Sequence, residues 1–164
     1  MVSEVMKKMI LYFTGDAKRI NHALKVYGFA KTIAGLEKMS PDDRIITELA
    51  AVLHDIGIKE SERKYGSSEA KYQELEGPPV AAGILEAANI PPEVIRRVCY
   101  LIGNHHTYGK IDGLDFQVLV EADFLVNAFE DDMETAAIRK ISDKYFKTAT
   151  GKVILEGMYL TGKV

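Results

Sequence analysis

The amino-acid sequence predicts an all-α protein, a helical bundle of about seven to nine helices. Apolar residues recur at three- and four-residue spacing almost throughout the 164 residues, which is the period of a helix that buries one face. Short alternating runs joined by Asn-Gly or Asp-Gly turns, which would indicate hairpins, are largely missing. The length suits one ordinary domain with a substantial core, so we expect a single domain over residues 1–164.

The first two helices are indicated by apolar stripes. In the first helix, the stripe consists of Val2, Val5, Met6, Met9, Ile10 and Phe13. A break at Thr14-Gly15 follows, and Asp16 is a candidate N-cap for the second helix, which we expect to continue to about Glu37. Because the second helix carries two apolar stripes, we place it near the centre of the bundle.

The pair Ser40-Pro41 marks the next helix start, since serine caps a helix and proline suits its first turn. This helix is expected to stop at Gly57. The stretch from Lys59 to Ser68 is polar, and we predict an exposed loop there. Loops beside a buried helix end often border functional sites.

Two proline pairs predict two further helix starts. Pro78-Pro79 precedes the apolar run 80–88, and Pro91-Pro92 precedes the run 93–102. Gly103 is expected to end the second of these helices, because glycine commonly follows the last residue of a helix.

The last part of the chain contains one strongly apolar segment and two weaker ones. Asp115 is predicted to cap a helix that continues to about Glu130. Weaker helical patterns at 134–147 and 152–160 follow. The residues that carry chemistry fall within about 16–130, so we expect the core of the domain there, with helical extensions at both ends.

Charge and composition argue against several classes of protein. The chain has 21 basic and 24 acidic residues and a net charge of −3, which disfavours a nucleic-acid partner. The N-terminal segment is charged and no apolar run approaches the ~18 residues of a membrane span, so we expect a cytoplasmic protein without a membrane partner. The single cysteine, Cys99, has apolar neighbours and is predicted to be a small buried side chain. A homo-oligomer is compatible with this composition.

The histidines are the most informative residues for function. The sequence contains four of them, His22, His54, His105 and His106, on or beside the predicted helices. Asp55 follows His54 at the end of an apolar helix, where an ionised carboxylate would be costly to bury unpaired. A divalent cation would relieve that cost, because it binds carboxylate oxygen and neutral imidazole nitrogen. From these residues alone, a hydrogen-bonded helix end remains an alternative.

The order His22, His54-Asp55, His105-His106, Asp123 resembles the pattern of the HD-domain superfamily of metal-dependent phosphohydrolases. The resemblance extends from about Asp16 to Asn127 and is carried by three motifs: Arg19-Ile-Asn-His22-Ala-Leu-Lys-Val26, Leu53-His-Asp-Ile-Gly57 and Glu121-Ala-Asp123. It implies an all-α bundle in which His22, His54, Asp55 and Asp123 ligate the principal metal. That cofactor would be a divalent ion, Mn, Fe, Mg, Co or Ni, with one or two ions per chain.

Two further stretches resemble the bimetallic members, such as the symmetrical bis(5'-nucleosyl)-tetraphosphatases and the cyclic-di-nucleotide phosphodiesterases. Those proteins have a histidine where this chain has Glu76, and another in a context like His105-His106-Thr107. The resemblance makes Glu76, His105 and His106 candidates for a second metal or for substrate. A carboxylate can replace imidazole as a metal ligand. Which member of the histidine doublet faces the site is left open.

Two basic residues are candidates for binding phosphate. Arg19 precedes His22 by three residues, so both lie on one helix face, and a guanidinium there would bind a phosphate bidentately. Lys59 is the second candidate, although the related phosphodiesterases have lysine directly after the His-Asp-x-Gly motif and Ile58 intervenes here. Glu60 and Glu62 become general acid or base candidates if the predicted loop folds back.

The expected activity is therefore hydrolysis of a phosphate ester, as a phosphomonoesterase or a phosphodiesterase, by metal-activated water. The substrate would be a small phosphorylated molecule, a nucleotide. Asp55 would position the water as well as bind metal. His105 or His106, with His106 as our choice of catalytic residue, would protonate the leaving oxygen or hold the phosphate. The alternative is a non-catalytic sensor or interaction module that keeps the fold and binds metal and nucleotide without turnover.

Overall fold

The computed structural model describes residues 1–161, and within them the chain forms nine α-helices and no β-strand. The helices are α1 Val2–Tyr12, α2 Ala17–Leu36, α3 Pro41–Leu53, α4 Ile58–Tyr65, α5 Ala70–Glu86, α6 Pro92–Ile102, α7 Leu114–Glu130, α8 Thr135–Tyr145 and α9 Ala149–Leu155. A 3₁₀ turn at Tyr108–Lys110 precedes α7, and a π-helical turn at Glu156–Leu160 follows α9. The predicted all-α class is confirmed. Within the same residues no helix qualifies as a candidate membrane span.

Helices α2, α3 and α7 form the centre of the bundle. Helix α7 is buried along most of its length, and α2 packs against both α3 and α7. The largest fully buried side chains of these three helices are Ile33, Leu49, Leu53, Phe116, Leu119 and Leu125. Burying each such side chain stabilises the fold by about 1.5–3 kcal/mol. Polar residues placed on these helices are therefore held on a rigid scaffold.

Several predicted helix boundaries are confirmed. The Asp16 side chain accepts a hydrogen bond from the Arg19 backbone N–H at 3.1 Å, as an N-cap does. Ser40 does the same for the N–H of Asp43 at 3.1 Å. Helix α6 begins at Pro92 and is followed by Gly103, as the sequence predicts.

The prediction of an exposed loop at 59–68 is wrong, because most of this stretch forms α4. Its buried face consists of only Ile58 and Ser61, which is too few apolar residues to show a helical pattern in the sequence. The Ser61 hydroxyl donates to the carbonyl of Ser67, which ties the end of the helix to the following turn. Gly66 then ends α4 with a φ of +64°, a conformation that glycine adopts without strain.

The prediction that a helix starts at Pro78-Pro79 is also wrong. Both prolines lie inside α5, which begins eight residues earlier at Ala70. Proline has no N–H, so the carbonyls four residues before each proline lose their helical partners. The helix continues nevertheless because Gln73, Glu76 and Gly77 are buried against the rest of the bundle.

Asp115 is not the N-cap of α7, which begins at Leu114. The Asp115 carboxylate instead accepts two hydrogen bonds from the Arg97 guanidinium, each of 2.7 Å. This bidentate pair joins α6 to α7. The sequence pattern at 134–147 is confirmed as α8, whereas the helix predicted at 152–160 begins earlier, at Ala149, and changes to a π-helical turn after Leu155.

A fully buried carboxylate, Glu121, fastens the segment between α8 and α9 to α7. Its Oε1 accepts hydrogen bonds from the Gln117 amide at 2.7 Å and from the backbone N–H groups of Lys147 and Thr148 at 2.6 and 2.9 Å. Its Oε2 accepts from the Thr148 hydroxyl. A Cβ at Gly151 would lie 2.0 Å from Oε2 and 2.7 Å from the Thr148 hydroxyl oxygen, so a larger residue there would displace these hydrogen-bonded groups. Glu121 belongs to the sequence motif Glu121-Ala-Asp123, and its contacts in the structure anchor the chain between α8 and α9.

Gly57 lets α5 approach the turn that follows α3. A Cβ at this position would lie 2.5 Å from the Gln73 carbonyl oxygen and 2.6 Å from the Gly77 nitrogen. Because both are backbone atoms, we expect Gly57→Ala to lower the free energy of unfolding by about 1–3 kcal/mol or more, measured by urea denaturation. Gly28→Ala is the matched control, since nothing lies within 4 Å of its added Cβ. Equal stability of Gly57→Ala and wild type would contradict the close packing.

Candidate metal centre

Three central elements bring His22, His54 and Asp123 together. His22 lies on α2, His54 directly follows α3, and Asp123 lies on α7. Their ligand atoms all lie within 4.8 Å of one another. The Nε2 atoms of the two histidines are 3.1 Å apart, and Asp123 Oδ1 is 3.2 and 3.5 Å from them. We call these three residues group 1.

Asp55, His105 and His106 form a second set, group 2, whose ligand atoms also lie within 4.8 Å of one another. His105 Nε2 is 3.5 Å from Asp55 Oδ1. The two imidazole rings of the doublet have centroids 3.9 Å apart. The sequence left open which histidine faces the site, and in the structure both contribute a nitrogen to this group.

Asp55, a member of group 2, also faces two residues of group 1. Its Oδ2 is 3.5 Å from the Nε2 atoms of both His22 and His54, while its Oδ1 faces His105. A carboxylate placed in this way presents one oxygen to His22 and His54 and the other to His105. All four residues that the resemblance assigns to the principal metal are therefore in one place.

The hydrogen bonds of the imidazole Nδ1 atoms show which way these rings present their lone pairs. The acceptors are Glu130 Oε2 at 2.8 Å for His22, the Ala51 carbonyl at 2.9 Å for His54 and the Ile102 carbonyl at 2.7 Å for His105. Each acceptor requires a proton on Nδ1, so in the neutral form of each ring the lone pair of Nε2 points into the site. Within residues 1–161, His105 Nε2 is buried without a hydrogen-bond partner. Converging lone pairs and carboxylates fit a divalent cation.

The pKa values show how strongly the carboxylates and imidazoles of the two groups act on one another. Burial opposes ionisation of His54, but the carboxylates of Asp55 and Asp123 outweigh it and raise its pKa to about 9. Burial likewise opposes ionisation of Asp55, yet His54 and His105 lower its pKa to about 2. Burial and the neighbouring His105 lower the pKa of His106 to about 4. At pH 7 the His106 ring is therefore neutral, which is the form that ligates metal.

Glu76 lies outside both groups. Its two oxygens accept hydrogen bonds from the Lys64 ammonium at 2.5 Å and the Tyr65 hydroxyl at 2.8 Å. These two hydrogen bonds hold the pKa of Glu76 below its ordinary value. The structure thus does not bring this sequence candidate to the other metal-ligating residues.

Arg19 lines a cavity of about 290 Å³ that reaches His22 and Asp55. Its guanidinium contacts Asp16 at 2.9 Å and Glu62 at 2.5 Å. The exposed Lys18 lines the same cavity. The sequence candidate Arg19 therefore lines the same cavity as His22 of group 1 and Asp55 of group 2.

Lys59 and Glu60 contact residues outside the two groups and outside this cavity. The Lys59 ammonium donates to the Tyr12 carbonyl at 2.9 Å and lies 4.9 Å from the centre of the Tyr12 ring. Glu60 accepts from Arg63 at 2.7 and 2.9 Å within α4. Neither side chain lines the cavity that contains His22 and Asp55.

Two polar residues of α7 support the site and were missed by the sequence analysis. The Asn127 amide donates to Asp123 Oδ1 at 3.0 Å. Glu130 accepts from His22 and also from the Lys25 ammonium at 2.5 Å. Asn127 and Glu130 follow Asp123 by four and seven residues, so all three share one face of a helix. This polar spacing in a strongly apolar helix is the signal that could have found them.

We expect Glu130→Gln to weaken binding of Mn²⁺ by about 10–100-fold, since carboxylates that orient a ligating histidine typically contribute that much. The change removes the negative charge that fixes the Nδ1 proton of His22. Affinity is measured by calorimetric titration of metal-free protein. Lys25→Met is the matched control, because it removes the ion pair with Glu130 but leaves the contact with His22. An unchanged Mn²⁺ affinity in Glu130→Gln would show that Glu130 does not orient the ligand.

Comparisons with known proteins identify a family and a similar fold. The family model of the HD domain matches residues 19–147. The fold is similar to that of a protein from an uncultured Thermotogales bacterium, described as a predicted HD superfamily hydrolase, with a TM-score of 0.69 and 24% identity. That similarity covers 96% of this chain and 84% of the other. Among curated proteins, no match to this chain was found.

Proposed function

The chain belongs to the HD-domain family, and from that premise we propose that it is a metal-dependent phosphohydrolase that cleaves a phosphate ester of a nucleotide. The main support is the position of Asp55, with one oxygen towards His22 and His54 and the other towards His105. A site for one structural ion would not need a second group of ligands beside the first.

In this proposal, group 1 holds one divalent cation, group 2 holds another, and Asp55 is shared. Nitrogen and oxygen donors of this kind suit manganese, iron, cobalt, nickel or magnesium. When bound, such a cation activates water as the nucleophile and neutralises negative charge on a phosphoryl oxygen. Asn127 fixes the orientation of Asp123, and Glu130 fixes that of His22.

Arg19 is the residue of the chain that binds the substrate phosphate. Its guanidinium already faces two carboxylates, Asp16 and Glu62, at the cavity that reaches the metal-ligating residues. A phosphate would replace the single contact with Glu62 by a bidentate one, because a planar guanidinium matches two phosphate oxygens. Lys18 adds a second positive charge at the same cavity.

The test is turnover by protein of defined metal content. Chelated protein is reloaded with Mn²⁺, Fe²⁺, Co²⁺ or Mg²⁺ and incubated with nucleoside monophosphates, diphosphates and cyclic nucleotides. We expect at least one cation to restore release of phosphate or of a nucleoside monophosphate, while the chelated protein stays inactive. Tight binding of cation and nucleotide without any product would overturn the proposal and favour the sensor.

A further inference from the structure

A second cavity, of about 550 Å³, lies between the 3₁₀ turn and α8. Its walls include two aromatic side chains, Tyr108 and Tyr145, and its lining includes Gln117, Lys144 and Lys147. None of these residues belongs to group 1 or group 2. Its volume is within the range of cavities that hold small molecules.

The aromatic walls present flat apolar surface to this cavity. The rings of Tyr108 and Tyr145 have centroids 4.7 Å apart, and Phe124 supports both, stacking on Tyr145 with an interplanar angle of 18°. On the Tyr145 ring, the exposed Lys144 ammonium lies 5.0 Å from the centroid. An exposed lysine side chain rather than the protein core covers the ring there, so a planar ligand can take its place.

Hydrogen-bonding groups with unused capacity surround the aromatic walls. The Gln117 amide nitrogen donates to Glu121 Oε1 and to the Tyr145 carbonyl, at 2.7 and 2.8 Å, which leaves its carbonyl oxygen as an acceptor. Lys144 and Lys147 form no ion pair with a carboxylate of the chain as far as the structure describes it. An acceptor and two cationic donors beside aromatic rings match the edge of a nucleobase, which carries both donors and acceptors.

Two aromatic residues of this region, Tyr108 and Phe124, lie close in the chain to residues of the metal centre. Tyr108 follows His106 by two residues, and Phe124 directly follows Asp123. The Tyr108 and Phe124 rings are in contact, with centroids 5.3 Å apart. The cavity is therefore positioned to hold a part of the substrate other than the reacting phosphate.

We propose that this cavity binds the aromatic base of the nucleotide whose phosphate is held at the metal centre. The inference rests on the proposed function and adds the residues that distinguish a nucleotide from a simple sugar phosphate. Stacking between a base and the tyrosine rings makes a nucleotide bind more tightly than a sugar phosphate, since each such contact contributes about tenfold or more in affinity.

The experiment compares binding of two ligands that cannot be hydrolysed, the 5′-methylenephosphonate analogues of AMP and of ribose 5-phosphate. Calorimetric titration is done on the Mn²⁺-loaded protein and repeated after chelation. We expect the adenosine analogue to bind at least about tenfold more tightly than the ribose analogue in both states. Tyr145→Leu should remove most of this preference and leave the affinity for the ribose analogue unchanged.

Because Tyr145→Leu also changes packing on Phe124, a second variant keeps the test decisive. The double variant Lys144→Ala with Lys147→Ala should bind the adenosine analogue several-fold more weakly than the wild type. The control, Lys140→Ala with Lys152→Ala, loses the same charge on α8 and α9 and should bind the analogue as tightly as the wild type. Equal affinity of the wild type for the two analogues would overturn the base site. That result would leave the proposed function standing if phosphate release is observed, because the two readouts are independent.

Discussion

We expect Asp55→Asn to lower kcat/KM for phosphate release by at least about a thousandfold, which corresponds to ~4 kcal/mol. Asp55 is the residue that faces both groups, so its loss weakens both cation sites at once. Asparagine has nearly the same volume as aspartate, but it is neutral and offers a single weak oxygen donor. The expected loss of bound Mn²⁺ is measured by elemental analysis of the same preparations.

Asp42→Asn is the matched control for this prediction. Asp42 is an exposed carboxylate in the first turn of α3, and the same chemical change there should leave metal content and rate unaltered. Thermal unfolding of both variants checks that the fold is intact. Full metal occupancy in Asp55→Asn would remove Asp55 from the ligand set.

The second large effect is expected for Glu121→Leu, which should lower the free energy of unfolding by about 3–5 kcal/mol. Leucine fills a similar volume but leaves the Gln117 amide, two backbone N–H groups and the Thr148 hydroxyl without their acceptor. Each unsatisfied buried group costs about 1–3 kcal/mol. Denaturant titration gives the difference in stability.

Glu86→Leu makes the same substitution at an exposed position near the end of α5 and should change stability by less than about 0.5 kcal/mol. If Glu121→Leu were as stable as this control, the carboxylate would not be anchoring the segment between α8 and α9. The free energy of unfolding of Glu121→Gln should lie between those of Glu121→Leu and Glu86→Leu, because the glutamine amide keeps one acceptor oxygen for the backbone N–H groups.

The helices that carry the metal centre were predictable because their signals are local. Asp16, Ser40 and Pro92 mark helix starts through capping or through the fixed φ of proline, and the structure confirms all three. The error at Pro78-Pro79 arose because tertiary packing overrides a local signal. Pro78-Pro79 would normally begin a helix, yet burial of the preceding turns extends α5 through them.

The site was predictable to the extent that its residues follow a family pattern. His22, His54, Asp55 and Asp123 could be named from their order in the sequence, and the structure brings them together. Glu76 could not be located in the same way, since its partners Lys64 and Tyr65 lie on a helix that the sequence does not reveal. The choice between His105 and His106 depends on side-chain direction after α6 ends, which no spacing rule determines.

The central claim, a pair of cation sites joined by Asp55, is tested most directly by counting bound ions. Metal-free protein is titrated with Mn²⁺, and electron paramagnetic resonance reports both the free ion and any magnetic coupling between bound ions. The two groups predict two Mn²⁺ per chain with a spin-coupled spectrum, reduced to one uncoupled ion by His105→Ala. A single uncoupled Mn²⁺ in the wild type, with no change in His105→Ala, would contradict the account.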